Sequence, residues 1–160
     1  MSNWIIEALN GAIYGKLAHT EMLNALRGIT AKEAENSLHP NMHSIKDHVF
    51  HMIFWHDITL KAIQGKEIDW NTIKDTDWPA KDSNFTEKKW KKLVTTFTAS
   101  LNDLKEIIGT KDLTKIIAGF GNKPLGKGII VEIQHNSYHI GQIVLIRQLQ
   151  GSWPPAEKSK

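Results

Sequence analysis

The chain has 160 residues, 41% hydrophobic and 23% charged, with a formal net charge of +3. That size and balance imply one globular domain over residues 1–160 with a sizeable buried core, and they argue against a disordered chain. Cysteine is absent, which excludes disulfide scaffolds, thiolate nucleophiles and cysteine metal sites, so any metal must be held by nitrogen and oxygen.

The first expected helix runs from about Asn3 to Arg27, with Ser2 as N-cap and Gly28 as its stop. Ile5, Leu9, Ile13, Leu17 and Leu26 recur there at helical spacing. The second follows His39-Pro40, from about Ser44 to Gln64, ending at Gly65. Ile45, Val49, Met52, Ile53 and Leu60 form a stripe, and Phe50, Phe54, Trp55 and Ile58 fill the other faces, so it reads as buried nearly all round. From Gly65 to Ser83 the periodicity dissolves, with Trp70 and Trp78 as candidate anchors. A connection of this length suggests a crossover along the bundle, joining helices that run roughly parallel.

A third helix spans about Thr86 to Ile108, carrying Leu93, Phe97, Leu101, Leu104 and Ile108. Residues Leu113 to Phe120 and the following Gly121-Asn122-Lys123-Pro124 fit either a short hairpin or an irregular loop. The fourth helix, about Lys127 to Gln150, stops at Gly151 before Trp153-Pro154-Pro155. The expectation is all-α: a four-helix bundle with a long crossover between helices 2 and 3.

No apolar run approaches the ~18 residues of a membrane span. Met1-Ser2-Asn3-Trp4 is not the start of a secretory signal, so cytoplasmic residence and no membrane partner are expected. The lysines of Glu87-Lys88-Lys89-Trp90-Lys91-Lys92 and of the tail Glu157-Lys158-Ser159-Lys160 accompany no nucleic-acid-binding motif. They read as a solvated helix face and a frayed end, and no nucleic-acid partner is expected.

The chemistry concentrates in histidines. His135 and His139 stand four apart on the fourth helix, one above the other, sharing a face with Val131, Gln142 and Ile146. That spacing lets two imidazoles turn to one divalent ion. Position 136 is Asn rather than Glu, so the zinc-protease motif is not present. Gly141 inside the helix suggests the close approach of a neighbouring helix. The second helix supplies His43, His48, His51 and His56 as candidates for a third ligand, and periodicity does not choose among them.

Two segments, His43-Ser44-Ile45-Lys46-Asp47-His48-Val49-Phe50-His51-Met52 and His135-Asn136-Ser137-Tyr138-His139-Ile140-Gly141-Gln142, together resemble the DinB/YfiT-like superfamily. His43 stands where Trp is usual in that family, and the closing Gly151-Ser152-Trp153-Pro154-Pro155 also resembles family C-termini. The resemblance implies a metal site of His51, His135 and His139, with His48 at a position that often carries His without ligating.

A facial set of three imidazoles with open positions suits catalytic Zn or Ni, and Fe or Mn can also be held. Glu132, Gln142, Asp47 and Tyr138 lie within a turn of these histidines and could border the pocket, but no catalytic base stands out. The family resemblance implies metal-dependent hydrolysis of a small-molecule substrate, or S-transfer from a low-molecular-weight thiol of the bacillithiol type. It also implies a homodimer. The alternative is a non-catalytic metal-binding or stress-associated bundle.

Overall fold

A computed structural model describes residues 3–73 and 76–156. Ser2 and the tail lysines Lys158 and Lys160, read above as a cap and a frayed end, lie outside the described residues. The fold is all-α, a four-helix bundle with a small two-stranded hairpin. Its long elements are α1 (Asn3–Ala12), α4 (Ile45–Ile63), α6 (Glu87–Thr110) and α7 (Leu125–Leu149). Short helices α2 (Met22–Leu26), α3 (Ala31–Glu35) and α5 (Trp70–Ile73) sit in the connections.

The expected first helix is broken. It stops at Ala12, turns through Gly15 at φ +80°, and resumes only at Met22. Two glycines four apart weaken the helix there, and a Cβ at Gly15 would sit 2.6 Å from the His19 ring. Leu17 is consequently exposed rather than part of the apolar stripe. Helix α3, unmarked by any long periodic run, is nucleated by a capping box in which Thr30 and Glu33 satisfy one another's backbone N–H groups.

α4 begins with a second capping box, in which the backbone N–H and the hydroxyl of Ser44 both donate to Asp47. Asp47 is thus committed to the helix start and does not border a reaction site. α4 and α6 run parallel: Lys46 lies over the Phe85 ring just before α6, and ten residues on His56 meets Phe97 and Ser100. Residues 64–86 make the crossover. α7 runs antiparallel to α4, since His48 reaches His139 while Thr59 reaches Glu132.

The core lies between these helices. Phe97, Leu101, Leu104 and Ile108 on α6 pack with Ile45, Val49 and Met52 on α4 and with Ile129, Ile140 and Ile143 on α7, all fully buried or nearly so. Burial of each such side chain is worth about 1.5–3 kcal/mol. Lys88, Lys89, Lys91 and Lys92 are exposed while Trp90 between them is buried, its indole N–H donating to the Ile29 carbonyl at 2.7 Å. Ile116–Ile117 and Lys123–Pro124 pair antiparallel as β1 and β2, closing the hairpin that leads into α7. Among the described residues no helix is long and apolar enough to cross a membrane.

Candidate metal centre

Because α4 and α7 are antiparallel neighbours, residues 48–51 of one meet residues 135–139 of the other. His51, His135 and His139 each offer one ring nitrogen, and the three atoms lie within 4.8 Å of one another. His51 and His139 are buried and His135 is half-buried. Nε2 of His139 is 2.9 Å from Nε2 of His135.

Proton placement follows from the partners. His51 Nδ1 lies 2.8 Å from the carbonyl oxygen of Asp77, which can only accept, so the proton sits on Nδ1 and Nε2 keeps its lone pair. His139 Nδ1 lies 2.9 Å from His48 Nδ1. A proton on His139 Nδ1 donates to His48 and frees His139 Nε2 for a metal. His135 Nδ1 is buried without a hydrogen-bond partner. Three imidazoles whose Nε2 lone pairs can converge, two of them with an acceptor waiting at Nδ1, fit a borderline divalent cation.

The rings are held neutral. Burial and the neighbouring imidazoles push His139 down to about 3, and burial together with His51 takes His135 down to about 4. Burial also lowers His51, against the opposing pull of Asp77. Neutral imidazole is the form a metal needs, so protons offer little competition near pH 7.

Trp78 covers the site. Its indole stacks on His51 at 4.0 Å between centroids and on His43 at 3.5 Å, so the crossover is anchored by an aromatic sandwich. Asp77 places a carboxylate oxygen 3.6 Å from His51 Nδ1 in addition to its carbonyl. Sequence reasoning missed Asp77, which sits in an aperiodic stretch where only Trp78 beside it marked an anchor point.

The other candidates part company with the triad. His56 is completely buried on the core side of α4, bonded to Ser100 at 2.7 Å and to the Asn136 amide. Glu132 is buried, accepts a hydrogen bond from the Thr59 hydroxyl, and is pushed up to about 7 by burial. Its Oε2 has no hydrogen-bond partner. Tyr138 is exposed, its ring edge-on to His139 at 5.2 Å, and Gln142 is half-buried. Val131, expected on the inward face with His135, is exposed, because the buried face of α7 is centred on Ile129, Glu132, Asn136, Ile140 and Ile143. Gly141 is exposed as well, and among the described residues no other element comes within 4 Å of where a Cβ would be, so no described helix approaches it closely.

His48 orients His139 without belonging to the triad. His48→Ala removes the acceptor for His139 Nδ1 and is expected to weaken metal affinity by about 10–100-fold. Competition against a chelating dye would check this, and an unchanged affinity would show that His48 only packs.

A family model of the DinB superfamily matches residues 16–143. No curated protein shows significant similarity to the chain. A crystal structure of a conserved protein from Enterococcus faecalis shares the fold, with a TM-score of 0.62 over 93% of this chain and 97% of that one at 16% identity. With the family model covering most of its length and a three-histidine cluster lying between α4 and α7, this chain belongs to the DinB superfamily.

Proposed function

We propose that the chain, acting as one DinB-like domain over residues 1–160, holds a divalent metal, Zn or Ni before Fe or Mn, on His51, His135 and His139. In this reading it is a metal-dependent hydrolase, or a transferase using a low-molecular-weight thiol. The observation that carries the metal reading is the cluster itself: one ring nitrogen from each of His51, His135 and His139 lies within 4.8 Å of the others, with the Asp77 carbonyl at His51 Nδ1 and His48 at His139 Nδ1 as partners for the opposite nitrogens. Three protein ligands with room for an exchangeable fourth are the arrangement of catalytic rather than structural zinc. The ion would supply Lewis acidity towards a substrate oxygen or sulfur.

The chain's own groups supply the rest. Asp77 orients His51 through its carbonyl, and its carboxylate beside the same ring is the candidate proton acceptor. Trp78, stacked over His51, keeps water off that side of the site. Half-buried His135 marks the side open to a small molecule. The same Trp78 cover favours the second reading, a bundle that holds metal without turnover. Assaying the metal-loaded protein on ester and amide panels, and on electrophiles with a bacillithiol-type thiol, separates the two. Turnover lost in Asp77→Asn supports the enzyme, and no turnover on either panel favours the passive binder.

We also propose a homodimer through α7. Ile130, Tyr138, Leu145 and Leu149 are exposed within one arc of that helix, and Gly141 lies among them with open space above it. This apolar stripe is unlike the polar surface a monomeric helix presents. Leu145→Glu is expected to convert a dimer of the wild type to monomer in light scattering, and a wild type already monomeric at high concentration would refute the interface.

A further inference from the structure

The groove between α4 and α7 does not end at the histidines. Stepping along α4 from His51 leads to Trp55 and then Ile58, at intervals of four and three, and stepping back along α7 from His135 leads to Val131 and Gly128. The helices are antiparallel, so the two walks go the same way. They lead into a cleft of about 610 Å³, whose lining includes Trp55, Ile58, Val131 and Gly128. Trp55 is the wall shared with the triad, its ring centroid 6.2 Å from that of His51 and 6.3 Å from that of His135. Seven residues of helix carry the cleft about 10 Å from the histidines.

This cleft is built by the packing of the hairpin. Phe120 lies directly over Gly128, where an added Cβ would stand 2.5 Å from its ring, and a Cβ on Gly119 would stand 2.8 Å from that of Ala62. The missing side chain at Gly128 lets Phe120 form the far wall. Two large apolar groups line the same cleft half open to solvent, Trp70 at 50% and Val131 at 53% exposure. Lys123 and Lys127 also line it, and neither has an ion pair among the described residues. Glu132 lines it too, only 4% exposed and with one carboxyl oxygen lacking a hydrogen-bond partner. Aromatic walls with unpaired cations suit a ligand that is flat, apolar and anionic.

We propose that this cleft is a binding site for an aromatic, anion-bearing group, and that it receives that arm of a substrate whose reacting group lies at the histidines. The second half rests on the metal reading above, while the first half does not. Metal-free protein is therefore titrated with 8-anilinonaphthalene-1-sulfonate, an aryl sulfonate. Val131→Glu and the pair Lys123→Glu/Lys127→Glu are each expected to weaken its binding at least about tenfold, through lost apolar contact and added repulsion. Lys92→Glu, on the exposed face of α6 and outside the cleft lining, serves as the control and leaves it unchanged. Absent binding, or binding indifferent to the cleft variants, overturns the site.

The link to the histidines is read on zinc-loaded protein with two hydroxamates, acetohydroxamate and 4-(4-carboxyphenyl)butanohydroxamate. The arylated probe is expected to bind about a hundredfold more tightly in the wild type and no better than acetohydroxamate in Val131→Glu. Equal affinities in the wild type overturn the link. A chain that takes up no zinc sinks the metal reading, and the cleft then stands or falls on the sulfonate alone.

Discussion

On the proposed ligand set, His139→Ala is expected to lower affinity for zinc by about three orders of magnitude, roughly a third of the ~12 kcal/mol with which complete ligand sets hold that ion. His139 is the central ring of the cluster: one nitrogen faces His135 and the other His48, each at 2.9 Å, and its centroid is 4.7 Å from that of His51. Removing it takes away a proposed ligand and the link between α4 and α7 at the site. The consequence reaches stability through mass action. Zinc at a thousand times its dissociation constant adds about 4 kcal/mol to wild-type unfolding and almost nothing to the variant. Urea unfolding with and without zinc measures both, and an equal zinc response in the two proteins would remove His139 from the ligand set.

Metal-free protein loses stability steeply as pH falls from 6.5 towards 4. Burial holds His56 and His48 near 4, with His135 near 4 and His139 near 3 beside them. In that window the unfolded chain binds protons that the folded chain refuses, so stability rises with pH and falls on acidification. His56, fully buried, contributes about 3 kcal/mol to this loss by itself. Glu132 works in the opposite direction. Raised to about 7, it keeps a proton in the fold that the unfolded chain gives up above 4.5, so its contribution is lost as pH rises to 7. One carboxyl offsets roughly one histidine, and the remaining buried imidazoles set the sign. The expected profile is a steep rise from pH 4 to about 6.5 that flattens above about 7, and Glu132→Gln steepens it between pH 5 and 7 by removing the opposing contribution. A flat urea-midpoint profile between pH 7 and 5 would contradict it.

How much of this was legible depends on the kind of signal each element carries. The pair His135 and His139 could be read directly, because a four-residue step on a long helix needs no tertiary information. His51 could not be chosen over His48 or His56 by periodicity, since α4 is apolar on almost every side. What separates them is which helix each side meets: α7 and Asp77 for His51, the α6 core through Ser100 for His56.

The inward face of α7 was misjudged for a related reason. Exposed Ile130, Tyr138, Leu145 and Leu149 blur its polarity, so a stripe through Val131 and His135 looked as good as the true one through Ile129, Glu132 and Asn136. The break at Gly15 was visible only as two glycines, which a continuous apolar spacing from Ile5 to Leu26 outweighed. Asp77 acts through a backbone carbonyl, and no side-chain pattern marks such a role. The parallel crossover, by contrast, followed from its length alone.

The most direct test of the metal centre is elemental analysis of untagged protein beside the His135→Ala/His139→Ala double variant. Near one metal per chain in the wild type, and none in the variant, is the predicted result. A wild type that holds no metal, even after reconstitution with zinc, nickel, manganese and iron, would leave the histidines as core packing and contradict the proposed chemistry.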